Sequence, residues 1–294
     1  MSNTLTDFSN GLTAAVEKAG ASTVLVDARK RYPASGIAYA EDLVLTADHV
    51  VTRDEIKVLL PDGRSLGATV AGRDPGSDLA LLRLAEKALT PAKTSGDVKV
   101  GQLVLALGRP NSAGVQASWG IVTAISGPAR THRGGLLDEY IQTETTPYPG
   151  FSGGPLVNTE GEVLGLNTSG LTPGSSLTIP VKGAWRIADE LAKHGSVKRG
   201  YLGVRTQPVE LPEGALKREQ KTGLLVLWLE ENGPAQKGGL FVGDTLVAIG
   251  GQPVSDPDDL FAALNSETVG KPVAVEVLRG GKPATVNVTV GERK

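Results

Sequence analysis

The chain has no cysteine, one methionine and three histidines, and aromatic residues make up only 4% of its 294 positions. Without cysteine there are no disulfides, no thiolate nucleophile and no thiolate-ligated metal, and the redox compartment stays undetermined. Three histidines leave little from which to build a metal site, and no pattern in the chain asks for a cofactor, so neither is expected. Charge of one sign is also missing: the net charge is −2 and no run of Lys or Arg stands out, which makes nucleic acid and anionic membrane poor partners. No apolar stretch is long enough to span a bilayer, and the opening "MSNTLTDFSNGLTAAVEKAG" lacks the apolar core of a leader peptide. A soluble chain is expected, cytoplasmic unless a leader has been removed.

What is present is glycine and proline, 38 and 18 of them, with Val, Ile and Leu arriving in short bursts between turn signals. Runs such as "STVLVDAR", "DLVLTA", "DLALLRL", "QLVLALG" and "EVLGLN" recur at barrel-like or sandwich-like spacing. Helical periodicity shows first in Leu5, Phe8, Leu12, Val16 and Ala19, and again in "GAWRIADELAKHG", where Gly195 supplies a stop. A chain of this length exceeds what one core usually organises. The expected division is an N-terminal helix over residues 1–20, a β-rich domain over 21–195 and a smaller mixed domain over 196–294.

Within "YPGFSGGPLVN", Ser152 stands among glycines and prolines, which suits a plain turn as well as a nucleophile. His49 follows the apolar "LVLTA" and Asp78 heads "DLALLRL"; a carboxylate entering a core needs hydrogen-bond donors. The order His, Asp, Ser along the chain is that of chymotrypsin-like proteases. A serine esterase on an α/β-hydrolase sheet would need its histidine after Ser152, where only His194 is available, and a helix rather than "GGPLVN" after the serine.

Together "TADHVV", "SDLALLRL", "GFSGGPLVN", "GEVLGLNTS", "TIPV" and "RGYLGV" resemble the HtrA/Deg family of PDZ-bearing serine proteases over nearly the whole chain after Val24. The resemblance implies a mainly β fold of two six-stranded barrels followed by a PDZ domain, and His49, Asp78 and Ser152 as a catalytic triad. It implies an oxyanion hole made by the amides of Gly150 and Ser152. It also implies a primary specificity pocket with Thr146 at its base and Leu166, Asn167, Thr168 and Ser169 as a wall. No acidic residue falls at that base, so a small or medium apolar substrate side chain is expected there. Phe151 departs from the family's usual Asn, and its ring is expected to pack on a neighbouring loop.

By the same resemblance Tyr201, Leu202, Gly203 and Val204 form a loop that grips a peptide C-terminus, while the peptide adds a strand to the sheet edge. The implied activity is ATP-independent cleavage of unfolded or damaged protein, with a homotrimer as the implied assembly. A proteolytically silent, chaperone-like binding module is the alternative that intact triad residues leave open.

Overall fold

The computed structural model describes residues 3–131, 135–172, 175–216, 218–265 and 268–292, and it divides into two compact units, Met1–Val197 and Lys198–Lys294. Six antiparallel strands close the first barrel of the larger unit: in hydrogen-bonded order Thr23–Asp27, Ala34–Ala40, Leu43–Ala47, Leu79–Leu84, Ser65–Asp74 and Ile56–Leu59. Leu43–Ala47 is buried at every position, which is why it reads as an unbroken apolar run. Val24, Val44, Val58 and Leu82 fill the interior.

A second closed barrel follows in the same unit, in the order Tyr140–Thr143, Ser175–Pro180, Val163–Thr172, Pro155–Val157, Leu103–Asn111 and Gly114–Ser126. Its core holds Val104, Val122, Ile141, Leu156, Leu164 and, in their midst, Phe151, which is only 2% exposed. The ring meets Tyr148 edge-on at 5.4 Å, and it lies where a side chain at Gly108 would stand. The packing expected on a neighbouring loop is therefore mostly burial in the barrel core, which fixes the turn carrying Ser152 to the body of the protein.

Two helices brace this unit. Helix α1, Thr4–Gly20, docks through Ala15, Ala19 and Gly20, while Leu5 and Phe8 remain exposed. The apolar stripe read from the sequence is thus covered only over its C-terminal half. Helix α2, Val181–His194, buries Ala184, Ile187, Ala188 and Leu191, and Gly195 ends it in the left-handed conformation. Among the described residues no helix is long and apolar enough to cross a membrane.

The smaller unit is a sheet in the order Val204–Glu210, Thr222–Leu229, Thr245–Ile249, Pro272–Arg279 and Lys282–Thr289. Helix α3 spans Pro234–Lys237 and helix α4 spans Pro257–Ala263, whose Asp256 cap accepts from the amides of Asp258 and Asp259. Gly280 and Gly281, both at positive φ, turn the last hairpin in the two-residue manner. Among the described residues Val204–Glu210 pairs with a strand on one side only, leaving an edge with α4 alongside it. Asp244, almost wholly buried, accepts two bonds from Arg279, at 2.7 and 2.8 Å. Burial would raise the Asp244 pKa, but Arg279 and the Phe241 amide outweigh it and hold it below the ordinary carboxylate value.

Candidate active site

His49 sits in a single 3₁₀ turn, Asp48–Val50, directly after the strand Leu43–Ala47. That turn is clamped by Arg73, whose guanidinium donates to the Asp48 carboxylate at 2.6 Å and to the carbonyls of Asp48 and Val51. Asp78 has no exposed surface and adopts a positive φ of 57°, unusual for a residue with a side chain. Its carboxylate accepts the His49 backbone amide at 2.9 Å and lies 2.8 Å from His49 Nδ1. The Thr168 hydroxyl donates to the same carboxylate oxygen that meets the imidazole. Burial pushes the Asp78 pKa up, but the bonds from His49 and Thr168 and the attraction of His49 prevail, leaving it below its ordinary value. An ionised Asp78 then holds Nδ1–H of His49, which leaves Nε2 free to accept a proton.

Ser152 belongs to the second barrel, in the turn before Pro155–Val157. Ser35, from the first barrel, fastens this turn: its amide donates to the Ser152 carbonyl at 3.1 Å and its hydroxyl to the Gly150 carbonyl at 2.7 Å. The amides of Phe151 and Gly153 are engaged by the carbonyls of Tyr148 and Asn167. Those of Gly150 and Ser152 meet no protein acceptor among the described residues, so two donors in one turn stay available to an oxyanion. Gly153 is required for a reason internal to the protein. With φ at +86°, a side chain there would stand 2.1 Å from the Ser35 carbonyl oxygen and 2.4 Å from the Thr46 hydroxyl. The Ser152 hydroxyl points to Ser169 Oγ at 3.1 Å, and no bond joins it to His49 in this resting arrangement.

A cavity of about 690 Å³ opens beside Ser152. Of the five residues expected around it, Asn167 and Ser169 line it, whereas Thr146, Leu166 and Thr168 do not. The reason is the two-residue period of extended chain. Leu166 turns into the core and Thr168 to Asp78, on the face opposite Asn167 and Ser169. Thr146 is exposed, and Thr143 and Thr145 face the cavity in its place. Ser35, Arg73 and the bond from Thr168 to Asp78 were not anticipated; each is a hydroxyl or guanidinium whose partner is distant in sequence, so no local pattern marks it. Among the described residues no group of three or more His, Cys, Asp or Glu side chains is arranged to hold a metal ion.

In the smaller unit the carbonyls of Leu202 and Gly203 accept the amides of Ala235 and Glu230, both at 2.8 Å. The amides of Leu202 and Gly203 themselves meet no acceptor among the described residues. Leu202 is buried, Gly203 has a φ of +75°, Val204 begins the edge strand, and Tyr201 pairs with Gly291 beside the pairing of Gly200 with Glu292.

Residues 34–166 match the trypsin-like peptidase domain and residues 200–290 the PDZ domain. A solved HtrA-type protease, AlgW with decapeptide, is 28% identical, covers 96% of this chain and 99% of its own, and superposes with a TM-score of 0.81. A variant of AlgW with tripeptide reaches 30% identity, covering 96% of this chain and 97% of that one with a TM-score of 0.80. The chain belongs to the HtrA/Deg family. Among HtrA relatives, the probable periplasmic serine endoprotease DegP-like of Halomonas elongata is 39% identical over 90% of this chain. Its namesake in Brucella suis is 37% identical over 87% of this chain. The chain spans 57% and 52% of the length of these two HtrA relatives. Their names also correct the expectation of a cytoplasmic location, since these relatives are called periplasmic. A leader is removed on export, so the first residues of a chain do not report its compartment.

Proposed function

We propose that this chain is an ATP-independent serine endopeptidase acting on unfolded or damaged protein, with His49, Asp78 and Ser152 as its triad. The observation that carries the reading is the pairing of His49 Nδ1 with a buried, donor-rich Asp78 in the same unit as a turn whose Gly150 and Ser152 amides are unengaged. Catalysis in this reading requires Ser152 Oγ to turn from Ser169 to His49 Nε2; apo sites commonly tighten only when substrate binds. Oγ attacks the scissile carbonyl carbon as His49 takes the hydroxyl proton, and Asp78 stabilises the imidazolium. The two amides receive the developing oxyanion. His49 then gives its proton to the leaving amine, and water repeats the cycle on the acyl-enzyme to release Ser152.

The PDZ unit, in this reading, holds peptide C-termini or exposed strands: the carboxylate at the Leu202 and Gly203 amides, the peptide backbone along Val204–Glu210. Assembly as a homotrimer is part of the same proposal, and Leu5 and Phe8 are apolar surface available to it.

The engagement of Ser152 by Ser169 favours a second reading, a binding module that does not cleave. Treatment with a fluorophosphonate probe and digestion of unfolded casein separate the two. The protease reading expects labelling at Ser152 and degradation by the wild type, and neither by Ser152→Ala. Unlabelled protein that protects unfolded clients equally well with and without Ser152 sinks it.

A further inference from the structure

The cavity beside Ser152 has two flanks. On one, the Asn167 carbonyl accepts the Gly153 amide at 2.8 Å, and Ser169 Oγ lies 3.1 Å from Ser152 Oγ. The other belongs to the first barrel, where Arg29, Lys30, Arg31 and Tyr32 lie in the connection between Thr23–Asp27 and Ala34–Ala40. That connection meets the serine turn at its opposite end, since a side chain at Gly150 would stand 3.0 Å from the Pro33 carbonyl oxygen. Ser35, two residues on, fixes its place through the carbonyls of Gly150 and Ser152.

Three successive cations thus stand on one wall, and no acidic side chain lines the cavity. Among the described residues none of the three meets a carboxylate within ion-pair distance; Asp27, two positions before Arg29, is taken by Arg53. Arg29 is half-buried and spends two of its five donors on the carbonyls of Tyr32 and Pro33, which steadies the connection and leaves the rest of its fork unspent. Burial pushes its pKa below the ordinary value, with no acid to offset the effect. Charges of one sign gathered along a cleft focus their field there, and an incoming carboxylate relieves their repulsion.

Resting on the protease reading, we propose that this wall selects an acidic side chain, Glu or Asp, in the first two positions after the scissile bond, with Lys30 and Arg31 as its contacts and Arg29 as their support. The placement follows from the two flanks. The flank of Asn167 and Ser169 is the one expected to receive the side chain before the cut bond, so the chain beyond the bond runs past Gly150 onto the cations. Lys30 and Arg31 are exposed and free to turn toward it. A carboxylate gains from charge as well as hydrogen bonds, whereas a carboxamide of the same shape gains only the bonds. A lysine at the same place meets like charge.

The test uses the full chain and peptides identical except for Glu, Gln or Lys at the first or second position after the cleaved bond. Glu is expected to exceed Gln in kcat/KM by about fivefold at low ionic strength. Lys is expected to fall below both, and the advantage of Glu to shrink as salt rises. The same Glu placed before the cleaved bond is expected to bring no gain. Lys30→Glu combined with Arg31→Glu, at two exposed positions, is expected to reverse the order so that Lys exceeds Glu, which a role confined to holding the connection would not do. A wild-type ratio of Glu to Gln at or below one, a ratio indifferent to salt, or a gain only ahead of the cleaved bond overturns the proposal while leaving the protease reading intact. Peptides left uncut by a protein whose Ser152 resists the fluorophosphonate overturn both.

Discussion

In the turn at Ser152 the carbonyls of Gly150 and Ser152 are tied back by Ser35, and in the loop at Leu202 those of Leu202 and Gly203 are tied back by the amides of Ala235 and Glu230. Each segment thereby turns two amides away from the protein's own acceptors, which is how backbone is made into an anion site. The surroundings differ. A side chain at Gly153 would strike backbone and a buried hydroxyl, while one at Gly203 would meet the flexible Glu230 side chain at 3.0 Å. The first segment is wedged between two barrels and the second is held mainly by its own sheet. A site that must receive a transient charge at fixed distance needs the rigid support; one that grips a stable carboxylate tolerates give.

Substitution at the paired glycines probes that contrast most sharply. Gly153→Ala must displace the turn, and a misplacement near 1 Å costs on the order of 100-fold in rate. Fluorophosphonate labelling is therefore expected to fall by about 100-fold or more, with peptide affinity of the PDZ unit unchanged. Labelling at the wild-type rate would mean that the turn is not wedged as its contacts imply.

Thr168→Val tests the carboxylate behind the histidine. The lost bond goes to a charged acceptor, so kcat/KM should drop about 20-fold. It also moves the acid limit. A depressed carboxylate stabilises the fold fully above its unfolded value, near 3.8, and loses that contribution as pH falls through the folded value. Removing the Thr168 donor raises the Asp78 pKa toward 3.8, so acid unfolding, followed by circular dichroism, is expected to begin at a higher pH than in the wild type. An unmoved acid transition would show that the His49 bonds alone set it.

Gly203→Ala is the milder counterpart of the first substitution. A side chain at that positive φ costs about 1–2 kcal/mol, so binding of a peptide with an apolar C-terminus, read by fluorescence anisotropy, should weaken about tenfold. Labelling of Ser152 should not change.

These expectations also mark what the sequence could carry. The barrels were legible because their strands are short apolar bursts between turns, and the PDZ hairpin because Gly280 and Gly281 stand between two alternating runs. His49, Asp78 and Ser152, the proposed triad, were singled out by their order and motifs. The pocket wall was only half legible: counting along the chain gave Leu166 to Ser169, but the alternation of extended backbone sends Leu166 and Thr168 elsewhere. Ser35 and Arg73 carried no signal, since a hydroxyl in a strand and an arginine beside a turn acquire meaning only when residues about a hundred or twenty-five positions away fold onto them.

The smallest expected effect concerns the charge beside the softer loop. Glu230 lends its backbone amide to the Gly203 carbonyl, but its carboxylate lies against the same glycine, with Oε2 3.0 Å from where a side chain at Gly203 would begin. In the proposed binding mode, a peptide carboxylate arriving at the Leu202 and Gly203 amides meets that negative charge. Glu230→Gln keeps the backbone bond and removes the repulsion, so affinity should rise about threefold at low salt, the scale of an exposed charge pair. Because the effect is electrostatic and partly solvated, it should shrink as ionic strength rises. A gain that persists at high salt would point to packing instead, and no gain at any salt would put the peptide terminus somewhere other than this loop.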